Sequence, residues 1–164
     1  MIYVKLYLKR DKSDVQSRYN VFDNLGEQRY KIEGKRTASV ERTYILQGDS
    51  CVSKLRTTQL GPIRSSFVVT KEMSFHVIIT QTRDKFAVSY HGVNVHIRGD
   101  VFNNSYDILD VSNTVIACVS RVFKSSSETL ELNINDDKYE MLALSTALCL
   151  SCVCTTEELL LQAT

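Results

Sequence analysis

Near its C-terminal end the chain carries an apolar stretch that has to be buried on every side. From Met141 to Cys154 it reads MLALSTALCLSCVC, interrupted only by Ser145, Thr146 and Ser151. A surface helix shows one apolar stripe, whereas this segment is apolar nearly all round. At about 1.5 Å per residue the segment makes a helix of roughly 21 Å, short of the ~30 Å hydrocarbon core of a bilayer. Its length favours a helix enclosed by protein over a membrane anchor. An enclosed helix needs a container, and the preceding residues must supply it.

Those residues read as strands. In the first segment Ile2, Val4, Leu6 and Leu8 face one way, and Tyr3, Lys5, Tyr7 and Lys9 the other. This period of two marks a half-buried strand. RYNVF (18–22) and QRYKIE (28–33) flank the turn Asn24-Leu25-Gly26. A stretch from Thr37 to Leu46, the turn Gln47-Gly48-Asp49 and CVSKLRT (51–57) follow. Pro62 sits in a turn after Gly61, where it costs no ladder bond. SFVVT (66–70) and FHVIIT (75–80) come next, then strands near 85–90, 93–98, 105–110, 114–122 and 128–134. Their turns fall at His91-Gly92, Gly99-Asp100, Ser112-Asn113 and Ser125-Ser126-Ser127.

About twelve strands and one all-apolar helix have a specific solution. An antiparallel sheet that closes on itself removes its edges, and a barrel of that size is too wide for its own side chains to fill. The helix fills it. The expectation is a mainly β, single domain over 1–164, a closed antiparallel barrel around a hydrophobic C-terminal helix. Its strands occupy about 2–134. Its helix occupies about 137–154, with Asn135, Asp136 and Asp137 offering the N-cap. A short tail, 155–164, begins polar at Glu157 and Glu158 and has room for one more helical turn. A faint repeat fits two half-barrels: Tyr30-Lys31-Ile32-Glu33-Gly34 is similar to Asn94-Val95-His96-Ile97-Arg98-Gly99, and Val52-Ser53-Lys54-Leu55 to Val119-Ser120-Arg121-Val122. The competing reading is that any two strand–turn–strand units look alike.

Charge is balanced overall and uneven along the chain. The net charge of +1 gives no global field that points to nucleic acid. Residues 1–82, however, hold 14 Lys/Arg and 8 Asp/Glu, a balance of +6, and residues 83–164 hold 6 and 11, a balance of −5. The first half can therefore build a basic face. The N-terminus MIYVKLYLKR alternates, unlike a secretory signal, and the five cysteines form no disulfide framework. A reducing, cytoplasmic location is expected.

No catalytic or metal signature stands out. Cys149, Cys152 and Cys154 form CxxCxC inside the apolar segment, and read as small core residues more readily than as zinc ligands. Cys51 and Cys118 are single and lie in strands. His76, His91 and His96 are the only histidines, and an odd separation puts His91 and His96 on opposite faces of any one strand. No serine sits in a GxSxG elbow and no Gly-rich phosphate loop is present. Asp107, Asp110, Asp136 and Asp137 fit turn and cap chemistry.

Gly34-Lys35-Arg36, Tyr44-Ile45-Leu46, Val52-Ser53-Lys54-Leu55-Arg56, Leu60-Gly61 and Phe67-Val68 resemble the C-terminal domain of tubby proteins. The layout over about residues 3–156 resembles the small LURP-one-related proteins, relatives of tubby proteins and of phospholipid scramblases. The resemblance implies a twelve-stranded barrel around a hydrophobic C-terminal helix. It also implies a phosphoinositide headgroup site at the positions matching Lys35, Arg36 and Arg56. Lysine supplies a point charge there and arginine a fork matched to phosphate oxygens. The basic run stops at Arg36 and continues as Thr37-Ala38-Ser39. The implied function is a non-catalytic binding module, a monomer with no cofactor, engaging an anionic lipid or other phosphorylated headgroup. Two alternatives stand beside it: a scramblase-like lipid-handling protein whose helix contacts lipid, and a regulatory domain with a protein partner.

Overall fold

Twelve antiparallel strands wrap the apolar segment in a computed structural model of the chain. The structure describes residues 3–11, 18–37, 39–83, 85–122 and 129–163; the side chains of Asp11, Arg18, Arg36 and residues 152–163 lie outside this description. The strands are β1 (Val4–Asp11), β2 (Arg18–Asp23), β3 (Gln28–Thr37), β4 (Val40–Gln47), β5 (Ser50–Leu60) and β6 (Ile63–Thr70). They continue as β7 (Ser74–Thr82), β8 (Lys85–His91), β9 (Val95–Asp100), β10 (Ser105–Asp110), β11 (Val115–Arg121) and β12 (Thr129–Ile134). The expected turn at Ser125-Ser126-Ser127 lies outside the described residues. The two similar segments fall on β3 and β9 and on β5 and β11, pairs six strands apart, as two half-barrels require.

Neighbours in sequence pair in space throughout, except at one place. The order is β8-β7-β6-β5-β4-β3-β2-β1-β12-β11-β10-β9, so β1 pairs with β12, from Val4 opposite Ile134 to Lys9 opposite Thr129. The barrel is nearly closed. Its seam lies between β8 and β9, which share no ladder among the described residues. Side chains bridge it instead: the rings of Phe86 and Phe102 stack with centroids 6.2 Å apart. The connection at the seam turns at Gly92, whose φ of +96° and close approach exclude a side chain; a Cβ there would meet the Ser74 carbonyl oxygen at 2.9 Å.

The turn expected at Gly99-Asp100 is displaced. Both residues belong to β9, where Gly99 pairs with Tyr106, and the chain reverses over residues 101–104 instead. Glycine is used there for close packing as well as for its φ of +127°, since a Cβ would stand 2.7 Å from the Ser105 carbonyl oxygen.

After β12, Asp136 caps a 3-10 turn (Asp137–Tyr139), its carboxylate accepting from the Lys138 backbone N–H at 3.1 Å. That bond, an oriented donor on an anion, holds the Asp136 carboxyl below the usual carboxylate range. The helix α1 runs Glu140–Ala163. It is longer than the expected 137–154, because the tail keeps helix formers (Glu157, Glu158, Leu159, Leu160, Leu161) and no Gly or Pro stops it. Leu142, Leu144, Leu148 and Leu150 of α1 are all at most 3% exposed and share one core with Leu6, Leu8, Ile32, Ile45 and Val68 from the strands.

The three hydroxyls that interrupt the apolar stretch are each satisfied. Ser145 Oγ lies 3.2 Å from Ser53 Oγ of β5, Tyr90 of β8 donates to Thr146 Oγ1 at 2.9 Å, and Ser151 donates to the Leu148 carbonyl at 3.1 Å. Buried polar groups left unpaired cost free energy, so the first two pairs fix the rotation of the helix in the barrel.

Leu148→Asp is expected to unfold the protein. An unpaired carboxylate at this site costs several kcal/mol against a total stability of about 5–15 kcal/mol. Leu60→Asp, at a residue that is 81% exposed, serves as the comparison. Thermal melts in which both variants match the parent would show that the helix is not enclosed.

Candidate functional site

In β5 the alternation is plain: Ser53, Leu55 and Thr57 are buried, and Lys54 and Arg56 are exposed. The ladders carry this outward parity to the neighbouring strands. Lys35 of β3 lies opposite Arg42 of β4, and Arg42 lies opposite Arg56 of β5. Three cations thus form one row across three adjacent strands, spaced by about 4.8 Å. One position along, Tyr44 lies opposite Lys54. On β6, Phe67 lies opposite Arg56 and Val69 opposite Lys54, with exposures of 38% and 40%. Arg42, Tyr44, Lys54, Arg56, Phe67 and Val69 line a shallow hollow of about 190 Å³.

By register, two of the three expected site residues share one row and the backbone of the third stands in the next. Lys35 and Arg56 share the row. Arg36 stands opposite Glu41, in the alternate row that runs on through Thr57 and Ser66, both buried. The side chain of Arg36 lies outside the described residues. Arg42 and Lys54 were missed from sequence. Lys54 had a signal, because it stands two residues from Arg56 and therefore on the same face. Arg42 depends on register. A bulge between Ile45 and Leu46 shifts the β4–β5 pairing by one residue. Counted back from Gln47 opposite Ser50 without that bulge, Arg42 would face Leu55. A one-residue slip exchanges the two faces of a strand.

Among the described residues, no carboxylate neutralises the row. None of Lys35, Arg42, Lys54 and Arg56 makes an ion pair among the described residues, and Arg42 spends one N–H on the Thr37 hydroxyl at 3.3 Å. Glu41 is engaged by Arg64 at 3.3 Å. Over β3–β8 the outer row positions hold Lys31, Lys35, Arg42, Lys54, Arg56 and Lys85 against one carboxylate, Glu33, which Lys31 meets at 3.6 Å. Two ion pairs lie elsewhere on the wall. Lys5 pairs with Glu131 at 3.0 Å, which raises the lysine pKa through that bond, and Arg98 pairs with Asp107 at 3.2 Å. Like charges directly opposite on adjacent strands are destabilising. The row Lys35–Arg42–Arg56 therefore carries unrelieved like-charge repulsion among the described residues.

A second cavity, of about 400 Å³, opens at the end of the barrel where the helix begins. Its rim mixes Lys71 and Lys138 with Glu72, Asp137 and Glu140, an excess of one negative charge that disfavours an anion. Tyr30 lines it, with burial first and Glu140 second pushing the phenol pKa up to about 12. Glu140 is met by Arg29 at 3.4 Å. Of the cysteines, Cys149 is buried in α1, and Cys118 has its thiol pushed up to about 11 by burial and by Asp107, the opposite of an activated nucleophile. Cys152 and Cys154 have side chains outside the described residues.

A family model described as LURP-one-related matches residues 4–151. The X-ray structure of a protein from Arabidopsis thaliana is similar over 90% of this chain and 89% of that one, at 14% identity and a TM-score of 0.59. At that identity the likeness shows the fold. No curated protein matches.

Two outcomes follow from the electrostatics. Arg42→Thr removes the middle cation of the row and is expected to raise stability at low salt by roughly 0.5 kcal/mol, with the gain shrinking as salt is added. Denaturant melts at two ionic strengths measure it, and a loss at low salt would mean that Arg42 is not under repulsion. Tyr30 governs the alkaline side. Its folded pKa lies above its unfolded value, so its stabilisation is complete below pH 10 and is lost as pH rises toward about 12. Burial pushes Tyr90 in the same direction. Tyr30→Phe should therefore flatten the fall of melting temperature across that window, and an unchanged fall would absolve Tyr30.

Proposed function

The chain belongs to the LURP-one-related family, and on that premise we propose that it is a non-catalytic binding module for anionic lipid or other phosphorylated headgroups, engaged through the outer face of β3–β6. The observation that carries this reading is the row Lys35–Arg42–Arg56, three cations on adjacent strands with no carboxylate partner among the described residues. Guanidinium forks suit phosphate oxygens, and a lysine beside them adds a point charge. The tubby-like resemblance points to the same part of the chain, with Lys35 and Arg56 at its matching positions. Arg42 and Lys54 replace Arg36 in the proposed contact.

Exposed apolar groups flank the cations. Phe67 and Val69 border the hollow, and Leu60 and Ile63, 81% and 45% exposed, sit at the nearby β5–β6 turn. Basic residues with apolar neighbours suit the boundary between headgroups and acyl chains. The lipid-handling alternative needs the helix to leave the barrel. The burial of Leu142, Leu144, Leu148 and Leu150 weighs against it, and no helix among the described residues is long and apolar enough to cross a membrane.

Co-sedimentation with vesicles tests the reading. The parent should bind vesicles that carry anionic lipid at low salt and release them as salt rises. With about 1 kcal/mol per cation near such a surface, Lys35→Ala/Arg42→Ala/Arg56→Ala should weaken binding on the order of 100-fold. Arg36→Ala should change it little. A parent protein that ignores every anionic vesicle at low salt would end the lipid reading and turn the search to protein partners.

A further inference from the structure

The cation row does not stop at Arg56. Arg56 lies opposite Phe67 of β6, Phe67 opposite His76 of β7, and His76 opposite His91 of β8. Two of the three histidines in the chain therefore stand directly across from each other, on the outer face, in the register row of Lys35, Arg42 and Arg56. Both are exposed. Sequence separation gave no sign of this, because the two are fifteen residues apart and meet only through the β7–β8 hairpin.

We infer that His76 and His91 form an acid-responsive extension of this anion contact, so that the face binds an anionic phosphodiester surface more tightly as pH falls through the histidine range. The inference rests on the headgroup reading above and names the regulation of that same site.

Three observations support it. The first is distance. His76 is two strand spacings from Arg56, about 10 Å, which is about one Debye length at 0.1 M salt and well inside it at lower salt. A proton gained there adds to the field that an anion at Arg56 already feels. The second is that no carboxylate among the described residues of β6 and β8 faces the pair. Facing His76 from β6 are Phe67, Ser65 and Val69; from β8, His91 and Ser89; along β7, Ser74 and Ile78. The charged groups around the pair are Arg56 on β5, Lys71 and Glu72 in the β6–β7 turn, Lys85 farther along β8, and His96 and Arg98 on β9 across the seam. Arg98 is held by Asp107 at 3.2 Å. Glu72 lies in the β6–β7 turn and not on a strand.

The third is the aromatic between the arginine and the histidine. Phe67 stacks on His76 with centroids 4.5 Å apart and planes 30° apart. The stack seats the His76 ring against the same phenyl that stands opposite Arg56, so imidazole and guanidinium flank one apolar ring on the outer face. Two imidazolium ions directly opposite each other repel, as the three fixed cations do. Double protonation is therefore most favourable when an anion sits over the pair, which couples proton uptake to anion binding.

Vesicles of phosphatidylcholine alone and mixed with phosphatidylglycerol are the probe, because the phosphodiester keeps its charge throughout. Binding is measured at about pH 7.5 and about pH 5.5, which bracket the usual imidazole transition. Each protonated imidazole is expected to tighten binding roughly fivefold, the factor that about 1 kcal/mol per cation near an anionic surface represents. The parent should therefore gain 5- to 25-fold (roughly) on acidification. His76→Gln/His91→Gln should lose that gain and keep the neutral-pH affinity. His96→Gln and Glu72→Gln should retain the gain. Equal parent affinity at both pH values overturns the inference and leaves the headgroup reading standing, whereas absence of parent binding at either pH overturns both. An acid gain that survives in the double-histidine variant also overturns it. Glycerophosphoglycerol, the same headgroup without acyl chains, separates the sources. An acid gain with this soluble ligand supports the pair as a response to the phosphodiester itself, and a gain with vesicles only supports it as a response to the charged surface.

Discussion

One constraint organises the molecule: a helix without a polar face has to be surrounded. A flat sheet covers one side of a helix and leaves the other to water. Only a wall that goes all the way round removes Leu142, Leu144, Leu148 and Leu150 from solvent together. The wall in turn needs the helix, since a barrel of twelve strands left empty would be lined by apolar side chains with nothing to touch. Neither part is stable alone, so the core is a single unit to which every strand contributes.

Apolar packing fixes that the helix is inside but not how it is turned. A helix apolar on all faces could rotate or slide with little loss of burial. The hydroxyls of Ser145 and Thr146 remove that freedom, because they meet Ser53 and Tyr90 from strands well apart on the wall. The outward positions are released from packing altogether. That is why the same strands can carry a charge pattern on the outer face that has nothing to do with holding the fold together, with Lys35, Arg42 and Arg56 in one row without an ion pair among the described residues, and Lys5 and Arg98 each paired with a carboxylate elsewhere on the wall.

The architecture was legible in the sequence to a large degree. Alternation in segments such as Ile2–Lys9 and the turn residues between segments located all the strands, and the apolar run located the helix. Three things were not legible. The helix end was misplaced because nothing between Cys154 and Ala163 breaks a helix, and only the change in polarity had suggested a stop. The seam between β8 and β9 was hidden because alternation reports which face is buried and says nothing about which edge is bonded. The site was half visible. Lys35 and Arg56 came through resemblance, but Arg42 stands opposite Arg56 only because of one bulge between β4 and β5, and the pairing of His76 with His91 is likewise a matter of register.

The pairing of β1 with β12 has a consequence for how the chain reaches this structure. Val4 waits for Ile134, the largest separation that any strand pair in the sheet imposes. During synthesis at about 5–20 residues per second, the first strand spends on the order of ten seconds with one edge open. The helix that fills the barrel emerges later still. Hairpins from β2 to β8 can form as they appear, yet their apolar faces have no core to cover until the last residues arrive. The wall is built before its filling, and the nascent chain depends on remaining unaggregated over that interval.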